Sequence, residues 1–468
     1  MHYEGYETSS AQKRLYLIDD LLGPNIIYNM PSIRMIKGPL KQERLYRAWC
    51  RLTERHEGLR TSFLQKDGEV LQLVHESIDV SIPYREHSGQ STDKLVNEFI
   101  RPFSLHEVPL WRAELVPLAD EELLFLFDIH HIIADAVTIN IIFEELMALY
   151  HGQELAPLEF QYVDYTIWQN DQLSDIHIQK QGEFWLNQFT EDVPLLSLPT
   201  DGKGLRSDYS GGVVPFSIKA DTAHSLRALC LQHNVTLYMV LLAAYSILLS
   251  KYAGQEDLVI GTPVAGRTHS EFEGIVGMFV NTLALRQKPL GSMRFSVFLE
   301  EVADRTFAAF DHQDYPFDML VEQVNPERIS GRNPLFDACF VLENVPQPVV
   351  PATEVTFSPY SFEHKISKFD ITLYAYEMQE GIGLELEYRK ALFKEESASR
   401  MLRHFARIVE IIGEQPDIRI EDIDMVTEEE RTVLLHTFNQ TSSKNAYEKK
   451  IAWSTHPSSV RTASDTDA

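Results

Sequence analysis

The chain has 468 residues, of which 44% are hydrophobic and 10% aromatic, so it is long enough to bury more than one core and is not a disordered polypeptide. Its formal net charge of -27 argues against a nucleic-acid partner, because phosphates require a basic face. The three cysteines, Cys50, Cys230 and Cys339, are odd in number and far apart, which predicts a cytoplasmic protein without disulfides.

Nothing in the sequence indicates a membrane protein. Residues 1–7 have no basic and no apolar region, so we expect no signal peptide. The longest apolar run, residues 237–249, is too short to span a bilayer and favours a buried helix. The sequence therefore predicts no transmembrane segment.

The first half of the chain alternates helical and extended patterns. Apolar residues at helical spacing predict an amphipathic helix over residues 42–57. Residues 69–74 and 123–129 predict strands, and residues 137–146 predict a helix with an apolar face. Residues 192–212 are more polar and contain Pro and Gly, which predicts a linker between two lobes.

The second half repeats this alternation. The patterns predict strands at residues 213–218 and 258–264 and helices at residues 220–233, 236–252, 296–310 and 396–413. Residues 261–267 lack the Gly-Lys-Ser/Thr ending of a phosphate-binding loop and are typical of a strand-to-loop turn that needs small residues. Residues 442–468 show no core-forming pattern, and we expect them to be disordered or part of a linker.

The most informative segment, residues 128–135, reads DIHHIIAD. Successive side chains on a strand point to opposite faces, so His130 and His131 should have different roles, one inside the fold and one facing a cavity. The pattern indicates an acid–base histidine, with Asp135 four residues further on. Metal binding is disfavoured, because adjacent strand histidines diverge and no HExxH or CxxC spacing accompanies them.

Six other segments accompany this one. In chain order the seven are SAQKRLY (10–16), RHEGLRTSF (55–63), HHIIAD (130–135), YVDYTIW (162–168), VGMFVNT (276–282), HQDYPF (312–317) and RISGRNPLF (328–336). The ordered set, within residues 5–437, closely resembles the condensation domains of non-ribosomal peptide synthetases.

The resemblance implies an α/β fold of two lobes, each similar to chloramphenicol acetyltransferase, arranged as a V-shaped pseudo-dimer. The active site would lie at the junction of the lobes, at the centre of a tunnel open on two faces. We expect residues 1–185 to form the N-terminal lobe and residues 186–437 the C-terminal lobe. Residues 438–468 would be a disordered tail and the start of a linker to an adenylation domain, which Asn439-Gln440-Thr441 resembles.

The implied reaction is peptide-bond formation in secondary metabolism, such as antibiotic or siderophore biosynthesis. The amine of an aminoacyl group on an acceptor carrier protein would attack the thioester of a donor acyl- or peptidyl-carrier protein. The domain would bind no cofactor of its own, because the phosphopantetheine arms belong to the carriers. The implied partners are the two carriers and an adjacent adenylation domain, with the domain itself a monomer and without membrane or nucleic-acid partners.

His131 matches the histidine that would accept or orient the proton of the attacking amine, and a histidine suits that task near neutral pH. The sequence leaves open whether it acts as a base or positions the amine. The resemblance implies that His130 is structural and that Asp135 holds the loop by pairing with Arg60. Asn281 matches an asparagine that lines the junction, and a turn residue is the alternative interpretation.

No Ser or Cys nucleophile with a partnered base is evident, which is consistent with direct transfer. Tyr165, Trp168, Pro316 and Phe317 are expected to serve packing rather than substrate contact. The chain departs from the family at Ala136, where a glycine is usual. The extra methyl group either narrows the tunnel beside His131 or is accommodated by a small shift.

Several subtypes of the family remain open. An epimerisation domain would typically have a tryptophan where this chain has Thr138-Ile139, and a heterocyclisation domain would replace the histidine pair by aspartates. A starter domain that loads a fatty acyl group and an inactive module that only docks carriers are further alternatives. Residues 59–63 and Val137-Thr138 favour a donor of L configuration.

Overall fold

The structure is a computed structural model that describes residues 5–86, 89–202, 204–343, 354–362 and 365–432. The chain divides into one unit of Met1–Met425 and a second of Val426–Ala468. The described part of the second unit contains the short helix Glu428–Thr432. The predicted tail, 438–468, lies outside the described residues.

Strands and helices alternate along the first unit. The strands are β1 (Gly5–Glu7), β2 (Asn29–Lys37), β3 (Thr61–Lys66), β4 (Glu69–Val74), β5 (Trp111–Ala119), β6 (Glu122–His130), β7 (Gly211–Ile218), β8 (Leu258–Val264), β9 (Asn281–Gln287), β10 (Ala338–Glu343), β11 (Thr356–Pro359), β12 (Ile371–Glu377) and β13 (Ile382–Arg389). The α-helices are α1 (Ser10–Leu22), α2 (Gln42–Arg55), α3 (Thr92–Phe99), α4 (Ala136–Tyr150), α5 (Tyr162–Gln172), α6 (Ile176–Gln188), α7 (Ala220–His233), α8 (Leu237–Ala253), α9 (Phe295–Asp311), α10 (Phe317–Val324) and α11 (Glu395–Glu414).

The first lobe is built on a four-stranded antiparallel sheet in the order β11-β2-β6-β5. Strand β6 is apolar on both faces. Phe125 and Phe127 point into the core formed with α2 and α4, whereas Leu124 and Leu126 pack against α3. This double burial explains why the strand shows a continuous apolar run instead of an alternating pattern. A separate three-stranded sheet has the order β1-β4-β3.

The second lobe contains a six-stranded mixed sheet in the order β7-β13-β12-β10-β8-β9, in which β10 runs parallel to both β12 and β8. Helix α8 is buried along almost its whole length in the core of this lobe, which accounts for its apolar sequence. Among the described residues no single helix is long and apolar enough to cross a membrane. By length and composition alone the pair α7–α8, bent by 107°, passes the same test.

Two segments from the second half of the sequence are built into the first lobe. Strand β11 pairs with β2, placing Phe357 opposite Ile36. Phe272 and Phe279, from the loop between β8 and β9, belong to the same buried cluster as Ile132. The loop after β8 therefore joins the lobes near the end of β6, where the histidine pair lies, and β11 joins them near the start of β6.

Helix α6 packs with the second lobe, since Ile178 and Trp185 belong to the core of that lobe. The lobe limits expected from the sequence, 1–185 and 186–437, instead divide α6 between the lobes and assign the exchanged segments to the second lobe. The α/β class expected from the sequence is confirmed by the mixed sheets and their helices.

Candidate active site

The histidine pair lies where β6 ends. His130 is the last residue of β6 and pairs with Asn29 of β2, and His131 begins a single 3₁₀ turn that ends at Ile133. The backbone N–H of His131 donates to the Tyr28 carbonyl at 2.8 Å, and the Gln12 side chain donates to the Ile132 carbonyl at 3.2 Å. Two elements of the first lobe thus fix the turn that carries His131.

The two histidines have opposite tautomers. Nδ1 of His131 lies 2.7 Å from the Ala134 carbonyl, which can only accept, so Nδ1 carries the proton and Nε2 the lone pair. Nδ1 of His130 accepts from the Ile132 N–H at 3.2 Å, so the proton of the His130 ring is on Nε2. The rings can therefore serve different purposes, as the strand alternation predicted.

Both histidines are uncharged near neutral pH. Burial, with a smaller contribution from the Lys368 cation, lowers the pKa of His131 to about 3. The same two causes, in the same order, lower the pKa of His130 to about 3. His130 is buried against the Phe103 ring, whereas His131 is only partly buried. His131 is therefore the histidine that offers a neutral ring to a substrate.

A buried carboxyl lies on the same face of β6 as His130. Asp128 accepts from Asn29 Nδ2 at 2.7 Å and lies 3.4 Å from Arg112. Burial raises the pKa of Asp128 to about 7, against the opposing effect of the Arg112 cation. No role was predicted for Asp128 from the sequence, although its position two residues before His130 on a strand places both side chains on one face.

Asp135 is completely buried and begins helix α4. Its Oδ1 accepts from the Thr138 N–H at 2.7 Å, which caps the helix, and its Oδ2 accepts from the Phe279 N–H at 3.1 Å. Arg267, from the loop after β8, donates to Oδ1 at 3.2 Å and to Oδ2 at 3.4 Å. The expectation that Asp135 holds the loop is therefore supported by contacts to both lobes.

The predicted pairing of Asp135 with Arg60 is wrong, because Arg267 occupies that place. Arg60 ends the 3₁₀ turn that begins at Glu57, donates to the carbonyl of His75, and lies 3.5 Å from the Glu57 carboxylate. Its role is to hold the turn before β3. The turn at residues 261–267 was interpreted from its glycines alone, so Arg267 was missed.

The loop that follows Arg267 is locked to helix α4 by close contacts. Thr138 Oγ1 donates to the Gly277 carbonyl at 2.8 Å and accepts from the Gly277 N–H at 3.1 Å. A Cβ atom at Gly277 would lie 1.9 Å from Cδ2 of Tyr162, so only glycine fits there. The Arg267 guanidinium also lies 4.0 Å from the centre of the Phe279 ring.

Asn281 begins β9 and lines a small cavity of about 40 Å³ that is also lined by Ser10 and Arg14 of α1. Its Nδ2 donates to the carbonyls of Gln313 and Tyr315, both at 2.8 Å. The amide thus fastens the loop before α10. A role in the reaction remains a prediction.

Ala136, the position that departs from the family, is the first residue of α4 and its side chain is exposed. The effect of its methyl group on activity remains a prediction. Of the aromatic residues assigned to packing, Tyr165 and Phe317 are buried, and the Tyr165 ring lies 4.4 Å from that of Phe279. Trp168 packs 5.1 Å from the Phe272 ring.

The described residues contain no group of three or more His, Cys, Asp or Glu side chains placed to hold a metal ion. The neutral His131 ring and the Lys368 cation both lie against the Tyr28 ring, and the Asp135–Arg267 pair holds the segment that follows the histidine turn. Such an arrangement can bind and orient a neutral nucleophile and stabilise a developing negative charge.

Known proteins resemble this chain over almost its whole length. A protein-family model described as a condensation domain matches residues 3–435. Gramicidin S synthase 2 of Aneurinibacillus migulanus is 42% identical over 439 residues, which cover 93% of this chain and 10% of the relative. Tyrocidine synthase 3 of Brevibacillus parabrevis is 45% identical over 94% of this chain and 7% of the relative. The chain thus spans a tenth or less of the length of these relatives.

Solved structures share the fold. The X-domain from teicoplanin biosynthesis has a TM-score of 0.82 at 24% identity, covering 91% of this chain and 99% of that one. A four-domain nonribosomal peptide synthetase bound to AMP and glycine has a TM-score of 0.83 at 22% identity, covering 92% of this chain and 35% of that one. The first condensation domain of the calcium-dependent antibiotic synthetase, with a substrate analogue, has a TM-score of 0.75 at 18% identity, covering 91% and 99%.

These likenesses confirm the expected fold of two lobes similar to chloramphenicol acetyltransferase. The match of the family model spans both lobes, including the histidine turn and the loop that holds Asp135. The chain therefore belongs to the condensation domains of non-ribosomal peptide synthetases, a family of amide-bond-forming acyltransferases.

Proposed function

We propose that this chain joins two carrier-bound substrates by a peptide bond. The amine of an aminoacyl group on an acceptor carrier attacks the thioester carbonyl of the donor. The N–C bond forms and the C–S bond breaks, and the proton lost by the nitrogen ends on the thiol of the donor arm. The observation that carries this proposal is the neutral His131 at the junction of the lobes, with Nδ1 engaged and the lone pair on Nε2.

His131 acts mainly by orienting the amine. A ring whose pKa is about 3 accepts a proton poorly from an ammonium group of pKa about 8, but its Nε2 lone pair readily accepts a hydrogen bond from the N–H of the neutral amine. That hydrogen bond directs the nitrogen lone pair toward the carbonyl carbon. Holding the two arms in this geometry supplies much of the rate by proximity. His130 and Asp135 support the turn that presents His131.

The substrates arrive on phosphopantetheine arms of a donor and an acceptor carrier protein. The chain is one domain of a longer synthetase that includes an adenylation domain, which the much greater length of the relatives supports. The domain works as a monomer, and the three cysteines, all free, support a cytoplasmic location. The lobes follow the limits 1–185 and 186–437 except for helix α6 and the exchanged segments, and the donor has the L configuration.

The test is mass spectrometry of the acceptor carrier after the protein is mixed with an acyl-loaded donor and an aminoacyl-loaded acceptor. The wild-type protein should give the elongated product, and His131→Ala should give at least about 10²-fold less of it. His151→Ala is the matched control, because this histidine is exposed at the other end of α4. Absence of product from the folded wild-type protein across L and D donors and fatty acyl donors would refute the proposal. A preference for D donors would refute the assigned donor configuration.

A further inference from the structure

Lys368 is a second-lobe residue whose backbone is fixed on several sides. It precedes β12, and its carbonyl accepts from Arg389 Nη2 at 3.0 Å. The N–H of the preceding Ser367 donates to the Tyr209 carbonyl at 2.9 Å, and the N–H of Asp370 donates to the Asp337 carbonyl at 2.9 Å. The direction in which the Lys368 side chain leaves the backbone is thus set by the fold.

That side chain reaches toward the histidine turn of the other lobe. Lys368 Nζ lies 5.2 Å from the centre of the Tyr28 ring, a cation–π contact. The Tyr28 ring lies edge-on to the His131 ring, with 6.5 Å between centres, and the Tyr28 carbonyl binds the His131 N–H. One ring therefore contacts both the cation and the histidine.

His130 and His131 face Lys368, and further charged or titratable groups come from three elements. They are Glu387 on β13, Arg14 on α1 and Cys339 on β10. Within the described ranges no carboxylate oxygen lies within 4.0 Å of Lys368 Nζ. Burial raises the pKa of Glu387 to about 7, so at neutral pH this carboxyl is only partly ionised. Burial lowers the pKa of Lys368 itself, and the Lys368 and Arg14 cations together outweigh the partly ionised Glu387 at this place, although the whole chain has a formal charge of -27.

A positive charge beside the reaction centre favours the reaction in two ways. It disfavours the protonated, unreactive form of a bound amine, and it favours the negative charge that forms on a carbonyl oxygen under attack. Both effects grow as water is excluded, and Lys368 is half-buried at the junction.

We propose that Lys368 is a further functional residue of the condensation reaction, which holds the bound acceptor amine uncharged and stabilises the oxyanion that forms as the amine attacks the thioester. The inference rests on the proposed function. In this step the acceptor ammonium releases one proton to solvent before attack. The oxyanion then collapses with loss of the donor thiolate, which takes up the second proton of the nitrogen.

Lys368→Met removes the cation at similar side-chain length. The pKa of the bound amine should return toward its usual value of about 8, which moves the rising limb of the pH–rate profile about one unit to higher pH. The single-turnover rate at pH 7 should fall about fivefold from the smaller fraction of neutral amine. Loss of the cation also makes His131 easier to protonate. Its pKa of about 3 keeps that titration below the measured range, so the shift reports the amine.

The experiment measures single-turnover rates with loaded carriers from about pH 6 to pH 9, together with the thermal midpoint of each variant. Lys368→Arg keeps the charge, so the rising limb of its pH–rate profile should lie at the same pH as in the wild type. Lys365→Met, an exposed lysine three residues away, should change neither the limb nor the rate. The double variant Lys368→Met/Glu387→Gln removes the facing carboxyl as well and should retain the shifted limb.

Three outcomes separate the hypotheses. An inactive wild-type protein refutes the proposed function itself. An active wild-type protein with an unshifted limb in folded Lys368→Met refutes the role of Lys368 alone. A return of the wild-type limb in the double variant would also overturn it, because the defect would then come from an uncompensated Glu387.

Discussion

Arg267 of the second lobe and Asp135 of the first form a buried ion pair in which Nη2 and Oδ1 are 3.2 Å apart and the side chains are 5% and 0% exposed. Asp135 also caps helix α4, directly after the turn that carries His131. The geometry of the histidine turn in one lobe thus depends on a cation from the other. This relationship gives the clearest prediction about stability.

Arg267→Met should destabilise the protein by roughly 3–5 kcal/mol, because it leaves the Asp135 carboxylate buried without a counter-ion. Arg60→Met should cost about 1 kcal/mol or less through its ion pair, since Glu57 is partly exposed and 3.5 Å away. Urea unfolding midpoints and thermal midpoints measure the difference. Equal losses in the two variants would contradict the assignment of Arg267 as the partner of Asp135.

Two substitutions of His131 separate its two nitrogens. Asparagine places an amide N–H near the position of Nδ1, so His131→Asn should keep the hydrogen bond to the Ala134 carbonyl and a thermal midpoint close to wild type. It removes Nε2, however, and the condensation rate should fall about 10²-fold or more. A folded His131→Asn that retains over about a tenth of the rate would show that Nε2 is not used.

Gly277 should tolerate no side chain. Gly277→Ala places a Cβ 1.9 Å from the Tyr162 ring and must displace the loop that hydrogen-bonds to Asp135 and Thr138. We expect a loss of roughly 1–3 kcal/mol in stability, as for other overpacked sites, and a matching loss of condensation activity. Gly274→Ala is the control three residues earlier, where the nearest atom would be 3.8 Å away. An equal effect at both glycines would contradict the packing argument.

The buried Asp128 should make stability fall as the pH rises. Its folded pKa of about 7 is above the usual value near 4, so the folded state binds more protons between these values and its advantage is lost as the pH rises through 7. Asp128→Asn should therefore match the wild type near pH 4, and its advantage in thermal midpoint should grow with pH to roughly 2 °C or more at pH 8. The exposed Asp93→Asn should show no such pH-dependent difference. A difference in thermal midpoint between Asp128→Asn and the wild type that does not change with pH would contradict the raised pKa.

Elements with strong local patterns were predictable from the sequence. The strands at 69–74 and 258–264 and the helix at 220–233 have the predicted bounds, and the strand before the histidines and the helix after them are confirmed with small changes. The need for small residues is also confirmed, since a Cβ at Gly261 within β8 would lie 2.1 Å from Phe336 and one at Gly266 after β8 would lie 2.0 Å from the Phe279 carbonyl oxygen. In each case the apolar and small residues that predict the element lie within the element itself or next to it in the sequence.

The features that could not be predicted depend on contacts between residues that are far apart in the sequence. Strand β11 has only four residues and pairs with β2, and no local sequence pattern predicts that pairing. Arg267 was overlooked because only the glycines of its turn were interpreted. The signal that could have found it is electrostatic, since a buried Asp135 after the histidine turn requires a cation, and the arginine that ends a turn of small residues is a candidate.

The pairing of β11 with β2 has a consequence for how the protein is made. Thr356–Pro359 emerges from the ribosome long after β2, β5 and β6 have been synthesised, on the order of ten seconds later at usual elongation rates. During that interval the nascent first lobe has an unpaired β2 edge and lacks the aromatic residues of the loop after β8. Newly made chains are then most prone to pair with one another through that edge, and a ribosome-associated chaperone would protect them best at this stage of synthesis.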